Sequence, residues 1–396
     1  MKILVINAGS SSIKYQLFEM PAEKVLAKGL LEKIGEETSK LTHTSDTKEH
    51  KIEKRAADHA AGMKLILDAL VDPTVGVIKD ISEINAVGHR VVHGGEEFTD
   101  SCIINEHVIG SIERFADLAP LHNPPNLTGI KAAQTALPGV PQAACFDTAF
   151  HTSLPQTAFI YALPYEIYEK YRVRKYGFHG TSHKYVAQRG AVLLGKRTDK
   201  ANLITCHLGN GCSMAAVKEG KSVDTSMGLT PLEGLVMGTR TGDFDPAILF
   251  YLSDKGYSVN DLNKMCNKAS GLLGISGVSN DMRNLRAQAD AGNKRAQLAI
   301  DIFCYRIKRY IGAYTAVVGR LDAIVFTGGI GENAPDVRFQ SCGGLEQIGV
   351  DIDAELNKNT IRKEGTISTA DSRVKVFVIP TNEELAIAQD TFVLTK

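Results

Sequence analysis

Two segments of the chain, residues 3–14 and 203–214, share one pattern of apolar and polar positions. Each opens on a short apolar run (Ile3-Leu-Val-Ile6; Leu203-Ile-Thr-Cys206) and reaches a polar residue, Asn7 or His207. A turn of glycine, serine and asparagine follows, then a second apolar run. A short apolar run bounded by turn formers predicts a buried strand. Two such strands around a small-residue turn predict a hairpin whose tip exposes backbone N–H groups. Glycine lets a phosphate approach those groups, and serine hydroxyls add donors. Two such hairpins predict a duplicated fold that holds a nucleotide.

The remaining pattern is that of an α/β protein. Residues 55–71 predict an amphipathic helix, and 86–92 a short strand that ends in Gly94-Gly95. Residues 142–147 predict a buried strand with Asp147 at its carboxyl end, where ligand groups sit in α/β sheets. The character changes after Thr148, which places a domain boundary near 148–151. Residues 296–318 predict a long helix whose stripe of Ile300, Phe303, Ile307, Tyr310 and Tyr314 recurs at three- and four-residue steps and serves the core. Residues 323–327 predict a strand running into a glycine turn over 328–333. A last strand spans 374–379, and a final helix starts within 380–385. Strand, glycine turn and helix in repetition indicate α/β.

Composition narrows the function. A chain of 396 residues with 43% hydrophobic residues has material for two cores. Lys plus Arg equals Asp plus Glu at 45 each, with no block of like charge. That argues against a nucleic-acid or membrane-surface partner. The seven cysteines form no Cys-x-x-Cys pair and are odd in number, which fits reduced thiols in a cytoplasmic protein. The start of the chain offers too little for a signal peptide, and no apolar run is long enough to span a bilayer.

Five constellations could carry chemistry. The turn Asn7-Ala-Gly-Ser-Ser-Ser-Ile-Lys14 has more serines than a turn needs, and Lys14 offers a point charge to a phosphate. Gly88-His-Arg-Val-Val-His-Gly-Gly95 places Arg90, able to grip a carboxylate or phosphate with two bonds, on a strand. Leu121-His122-Asn-Pro-Pro-Asn126 reads as a rigid loop in which one proline could be cis. Phe178-His-Gly-Thr-Ser-His183 has the spacing of a zinc helix but lacks the glutamate of the zinc-protease motif. A single histidine donating to a phosphoryl oxygen fits it better. Gly238-Thr-Arg240-Thr-Gly-Asp-Phe-Asp245 holds an arginine between glycines, with Asp243 and Asp245 as partners or helix caps. Arg90 and Arg240, from opposite halves, would bracket a site where negative charge builds up. The near-P-loop Gly190-Ala-Val-Leu-Leu-Gly195-Lys196 fails, because Arg197 stands where magnesium needs a hydroxyl, and it reads as a helix with a glycine stop.

Taken together, residues 7–14, 88–95, 175–183 and 327–333 closely resemble the acetate and propionate kinase family, along essentially the whole chain. The resemblance implies α/β architecture in two domains of the duplicated sugar-kinase, Hsp70 and actin (ribonuclease H-like) type, with nucleotide in an interdomain cleft. The expected domains are 1–150, joined by a C-terminal helix 384–396, and 151–383. It further implies a homodimer, ATP as co-substrate, and Mg2+ with Mn2+ as a substitute. By motif, Asn7 and Glu383 match the metal site. Arg90 and Arg240 match charge-stabilising arginines, His179 a transition-state histidine, and Asp147 a catalytic aspartate. Lys14, the turn His207, Leu208, Gly209, Asn210 and Gly211, the segment Asp281, Met282 and Arg283, and Gly329, Ile330, Gly331, Glu332 and Asn333 match the nucleotide-binding parts. Val92, Leu121, His122, Phe178 and Pro231 match the acyl-substrate residues. The implied reaction is ATP plus acetate giving ADP and acetyl phosphate. Propionate or butyrate kinase is the close alternative, and an ATP switch of the Hsp70 or actin type the distant one.

Overall fold

A computed structural model describes residues 1–46 and 48–396. The chain divides into two compact units, Met1–Phe150 with Asn382–Lys396, and His151–Thr381. Asn382 and Glu383, expected in the second domain, fold with the first, because Asn382 caps the last helix by accepting from Leu385 N at 3.0 Å.

The first unit is built on eight strands: β1 (Lys2–Ala8), β2 (Ser12–Glu19), β3 (Lys24–Glu32), β4 (Ser39–Ser45), β5 (Lys48–Lys54), β6 (Ile84–Val91), β7 (Cys102–Ile103) and β8 (Gln142–Phe146). Their order in the sheet is β5-β4-β3-β2-β1-β6-β8-β7. The β1–β2 hairpin pairs Asn7 with Lys14. β1 runs parallel to β6, with Ile6 opposite His89, and β6 parallel to β8, with Arg90 opposite Cys145. The carboxyl ends of these three strands therefore lie side by side and carry Asn7, Arg90 and Asp147.

Both faces of β1 are buried, which is why it reads as a continuous apolar run rather than an alternating one. Leu4 and Ile6 join Ile13, Tyr15, Leu31, Ile66 and Leu70 in one core cluster under helix His59–Val71. Ile3 and Val5 join Phe18, Ala86, Ile387 and Ala388 in another, under the C-terminal helix Glu383–Thr395. Burial of Ile387 stabilises that return by about 1.5–3 kcal/mol. Gly88 makes the close approach possible, since a Cβ there would lie 2.4 Å from Thr391 Oγ1 and 2.7 Å from Ile387 Cγ2.

The second unit carries β9 (Leu203–Leu208), β10 (Cys212–Lys218), β11 (Lys221–Thr225), β12 (Ala323–Thr327), β13 (Gly365–Thr366) and β14 (Lys375–Val378), in the order β11-β10-β9-β12-β14-β13. β9 and β10 are antiparallel, and β9, β12 and β14 are parallel. The run β3-β2-β1-β6-β8 is thus repeated as β11-β10-β9-β12-β14, with the same strand directions. This is the duplicated core expected of the fold type.

Several local expectations change. The helix expected over 55–71 starts at His59, because the Asp58 side chain accepts from Ala61 N and fixes the cap. The loop expected at 121–126 is the start of helix Asn123–Ala136. Its prolines occupy the first turn, where the missing N–H is no loss. The cis peptide among the described residues is Met20–Pro21 instead. The glycine turn expected over 328–333 is a short helix, Gly328–Asn333. In the long helix Lys294–Val318, Tyr310 lies at the edge of the stripe, with its hydroxyl donating to Asp243 Oδ2 at 2.7 Å.

Candidate active site

In the first unit, Arg90 meets a buried carboxylate. Its Nε donates to Asp147 Oδ1 and Oδ2 at 3.2 and 3.1 Å, and Nη2 donates to Oδ2 at 2.6 Å. Asp147 is held there by its own backbone N–H, which donates to Val91 O at 2.9 Å. The Asp147 charge raises the Arg90 pKa above its ordinary value, against the cost of burial. Both carboxylate oxygens of Asp147 are engaged by the guanidinium, which fixes how Arg90 is turned.

Glu383 and Glu384 open the C-terminal helix, where the helix dipole favours carboxylates. Lys14 pairs with Glu384 rather than standing free for a phosphate. Burial pushes the Glu383 carboxyl up, against the pull of Arg90, and the Asp147 and Glu384 carboxylates push the same way. An added cation would relieve that repulsion. Among the described residues no three His, Cys, Asp or Glu side chains gather as a complete metal cage. Magnesium does not need one: it binds one or two protein oxygens, keeps waters, and takes the rest from substrate phosphates. The Asn7 amide oxygen and the Glu383 carboxylate are hard oxygen donors of that kind, so these residues fit the ion.

Val92 is buried, and its N–H donates to Asn126 Oδ1 at 3.0 Å, while Asn126 Nδ2 donates to Ala8 O at 2.8 Å. Asn123 likewise accepts from His93 N and donates to His93 O, both at 3.0 Å. Sequence reasoning missed both asparagines as positioning residues, although they flank the Pro-Pro pair it singled out. Leu121 and His122 do not join Val92 in the core: Leu121 is 75% exposed, and His122 is exposed at the mouth of the helix.

In the second unit, His179 sits at the start of helix Gly180–Leu193 in the left-handed region, with φ +58°. Such a conformation is uncommon outside glycine and clusters at functional sites. Its Nδ1 lies 2.9 Å from Ser213 Oγ, and its ring stacks on His207 with centroids 4.3 Å apart. His207 is bonded through Nδ1 to Ser182 Oγ at 2.8 Å. Zinc has no place at the His179/His183 pair, because His183 spends both nitrogens on Thr205 Oγ1 and Ser213 Oγ, at 2.7 and 2.8 Å.

Arg240 Nη1 contacts Pro231 O at 3.5 Å and Met237 Sδ at 3.7 Å. Neither expected aspartate pairs with it. Asp243 accepts from Gly234 N and Tyr310 OH, both at 2.7 Å, and lies 3.7 Å from Arg306. Asp245 accepts from Ala247 N at 2.9 Å and caps a helix. Burial lowers the Arg240 pKa. A methyl group on Gly211 would lie 3.6 Å from Arg240 Nη1 and 3.7 Å from His179 Nε2, so the two donors converge on the hairpin tip. Phe178 is buried and its carbonyl accepts from His151 Nε2 at 3.1 Å; Pro231 is half-buried.

Beside that tip lies a cavity of about 460 Å3, lined by Gly209, Asn210, Asp281, Met282, Arg283, Gly329, Ile330 and Asn333 from the expected set. Asn280, Arg286, Ala334 and Arg362 complete the wall. Asp281 accepts from Arg283 N at 2.9 Å and Arg283 Nε at 3.0 Å, and these bonds bring its pKa down to about 2. The expected residues His207, Leu208, Gly211, Gly331 and Glu332 are not among the lining residues. Leu208 is wholly buried. Because 328–333 is helical, Glu332 turns inward to accept from Gly328 N at 2.9 Å and Thr381 N at 3.2 Å. Gly331 O turns inward too and accepts from the buried Arg338 at 2.8 Å. Gly328 itself, at φ +77°, passes so close to Leu208 O that a Cβ would lie 2.8 Å from it.

The model of the Acetokinase family matches residues 2–389. The chain is 58% identical to the acetate kinase of Thermotoga maritima over 394 residues, which is 99% of this chain and 98% of that protein. The crystal structure of Porphyromonas gingivalis acetate kinase matches with a TM-score of 0.97 at 47% identity, covering 100% of both chains. A propionate kinase from Francisella tularensis matches with a TM-score of 0.91 at 46% identity, covering 99% of both.

Proposed function

The chain belongs to the acetokinase family, and on that premise we propose that it catalyses reversible phosphoryl transfer from ATP to acetate, giving ADP and acetyl phosphate by direct in-line displacement. The observation that carries the mechanism is the convergence of Arg240 Nη1 and His179 Nε2 on Gly211, next to cavity-lining Asn210.

Acetate is ionised at neutral pH and needs no general base. The difficulty is that one anion must approach another. Arg90, Arg240 and His179 answer the charge on the equatorial phosphoryl oxygens during transfer. Asp147 orients Arg90 and takes no proton. Asp281, Met282 and Arg283 hold the nucleoside end of ATP, and Gly209, Asn210, Gly329 and Ile330 its phosphates. Asn7 and Glu383 would hold Mg2+, or Mn2+ in its place, and the ion would add positive charge at the phosphates.

The similarity to a propionate kinase, at 46% identity, supports overlap with the next longer acid. One methylene discriminates by only about 1–3 kcal/mol. Val92, bulkier than alanine, favours acetate. A homodimer in the cytoplasm belongs to the same reading, and light scattering tests the dimer. ATP-dependent formation of acyl hydroxamate, assayed with acetate, propionate, butyrate and glycerol, decides among the substrates. Acetate is expected to give the highest kcat/KM. A preference for a longer acid overturns the acetate assignment. ATP hydrolysis that ignores every acceptor supports the switch reading instead.

A further inference from the structure

In the second unit a line of hydrogen bonds runs from the sheet to His179, and the hydroxyl at its far end sets its direction. Thr205 is wholly buried within β9, and among the described residues its Oγ1 meets only His183 Nδ1, at 2.7 Å. His183 Nε2 lies 2.8 Å from Ser213 Oγ, and Ser213 Oγ lies 2.9 Å from His179 Nδ1. Ser213 is wholly buried as well. A buried hydroxyl hydrogen left without an acceptor is costly.

A neutral imidazole offers one donor and one acceptor. Burial drives the His183 pKa well below its ordinary value, so this ring is neutral. The Thr205 hydrogen has one acceptor, His183 Nδ1. The His183 proton therefore sits on Nε2 and is donated to Ser213 Oγ. The Ser213 hydrogen is then free for His179 Nδ1. The proton of a neutral His179 is left on Nε2, the atom that converges with Arg240 Nη1 on Gly211.

We propose that Thr205, His183 and Ser213 are positioning residues that hold His179 as its Nε2–H tautomer, so that the ring donates to the phosphoryl group even when neutral. In the reverse order, a neutral His179 would turn a lone pair towards an anion. The role of the donated bond rests on the function proposed above; the tautomer does not. Other groups face these rings in wild type and variants alike. His207 stacks on His179, and His151 lies edge-on to His183 with centroids 5.6 Å apart. The Arg240 cation stands at the hairpin tip.

Nitrogen-15 NMR of the full-length, histidine-labelled protein reads the tautomer directly, with His179→Gln assigning the resonance. At pH 7.5 the proton is expected on Nε2. Ser213→Ala removes a donor that favours the neutral ring, so the His179 titration midpoint should rise by roughly 0.5–1 pH unit. Ser213→Thr keeps the hydroxyl and should restore the midpoint. In Ser213→Ala, kcat should fall by about 10–100-fold with little change in KM for ATP, the loss typical when a ring's orienting partner is removed. A wild-type ring protonated on Nδ1, or a midpoint that falls or stays in Ser213→Ala, overturns the relay. If that variant does not fold, the wild-type tautomer decides alone. A relay intact by NMR with undiminished kcat overturns the phosphoryl role of His179 instead.

Discussion

Arg90 and Arg240 are the same side chain in opposite settings, one in each unit. Arg90 lies against Asp147, which takes bonds from both Nε and Nη2, and its pKa is raised. Arg240 touches a carbonyl and a thioether and pairs with no carboxylate among the described residues, and burial lowers its pKa. A guanidinium locked to a carboxylate is well oriented, but part of its charge is already answered. One held by weak acceptors keeps its full field for an incoming anion. Under the proposed function the pair therefore divides two tasks, orientation in the first unit and unanswered charge in the second.

Removing either arginine gives the largest expected effect. Arg90→Ala and Arg240→Ala should each lower kcat by about 10²–10⁵-fold, as arginines that stabilise phosphoryl transfer do. The division places Arg240→Ala at the deeper end of that range. Steady-state kinetics in both directions check this, and full activity in either variant takes that arginine out of the mechanism. A smaller effect sharpens the contrast. Asp147→Asn keeps one accepting oxygen but loses the two-oxygen grip. A misplacement of about 1 Å costs about 10²-fold, so turnover should fall by up to that much. Turnover and magnesium dependence near wild type would show that Arg90 needs no such guide.

How much of this was legible in the residues varies with the kind of signal. The two hairpins were readable because buried parallel strands leave long apolar runs and their turns need small residues. Arg90 and Arg240 were readable as arginines beside paired or flanking glycines. That Arg240 lacks a carboxylate partner among the described residues was not: Asp243 looks adjacent in sequence but closes its loop on Gly234, Tyr310 and Arg306. The conformation at Gly331 and Glu332 was not readable, because a glycine-rich stretch after a strand suggests an open turn. A short helix instead swings the Gly331 carbonyl and the Glu332 carboxylate inward. Asp281, Met282 and Arg283 came only from the family resemblance, since a helix start of that composition has no chemistry of its own. Thr205 and Ser213 left no signal, because a hydroxyl among apolar strand residues looks like any other buried position.

Stability separates the two arginines by the smallest margin and in the most revealing way. Arg240→Ala removes a desolvated cation that pairs with no carboxylate and strands no opposite charge, so stability should hold or rise. Arg90→Ala takes from Asp147 the guanidinium that meets both its oxygens, and Asp147 is only 1% exposed. Breaking a buried pair costs about 3–5 kcal/mol, but the Arg90 side chain is 22% exposed, so roughly 2 kcal/mol is expected. The sign of its pH dependence follows from Glu383, whose carboxyl burial pushes up while Arg90 pulls it down. Without the arginine that pull is lost, and the folded-state Glu383 carboxyl rises further above the unfolded value. A raised folded pKa means that the penalty is small in acid and grows as pH rises through that value. Urea unfolding at pH 5 and pH 8, without divalent cations, should therefore show a larger Arg90→Ala deficit at pH 8 and no pH trend for Arg240→Ala. Equal and parallel deficits would mean that Arg90 does not hold the Glu383 carboxyl down, and the contrast between the two arginines would then rest on catalysis alone.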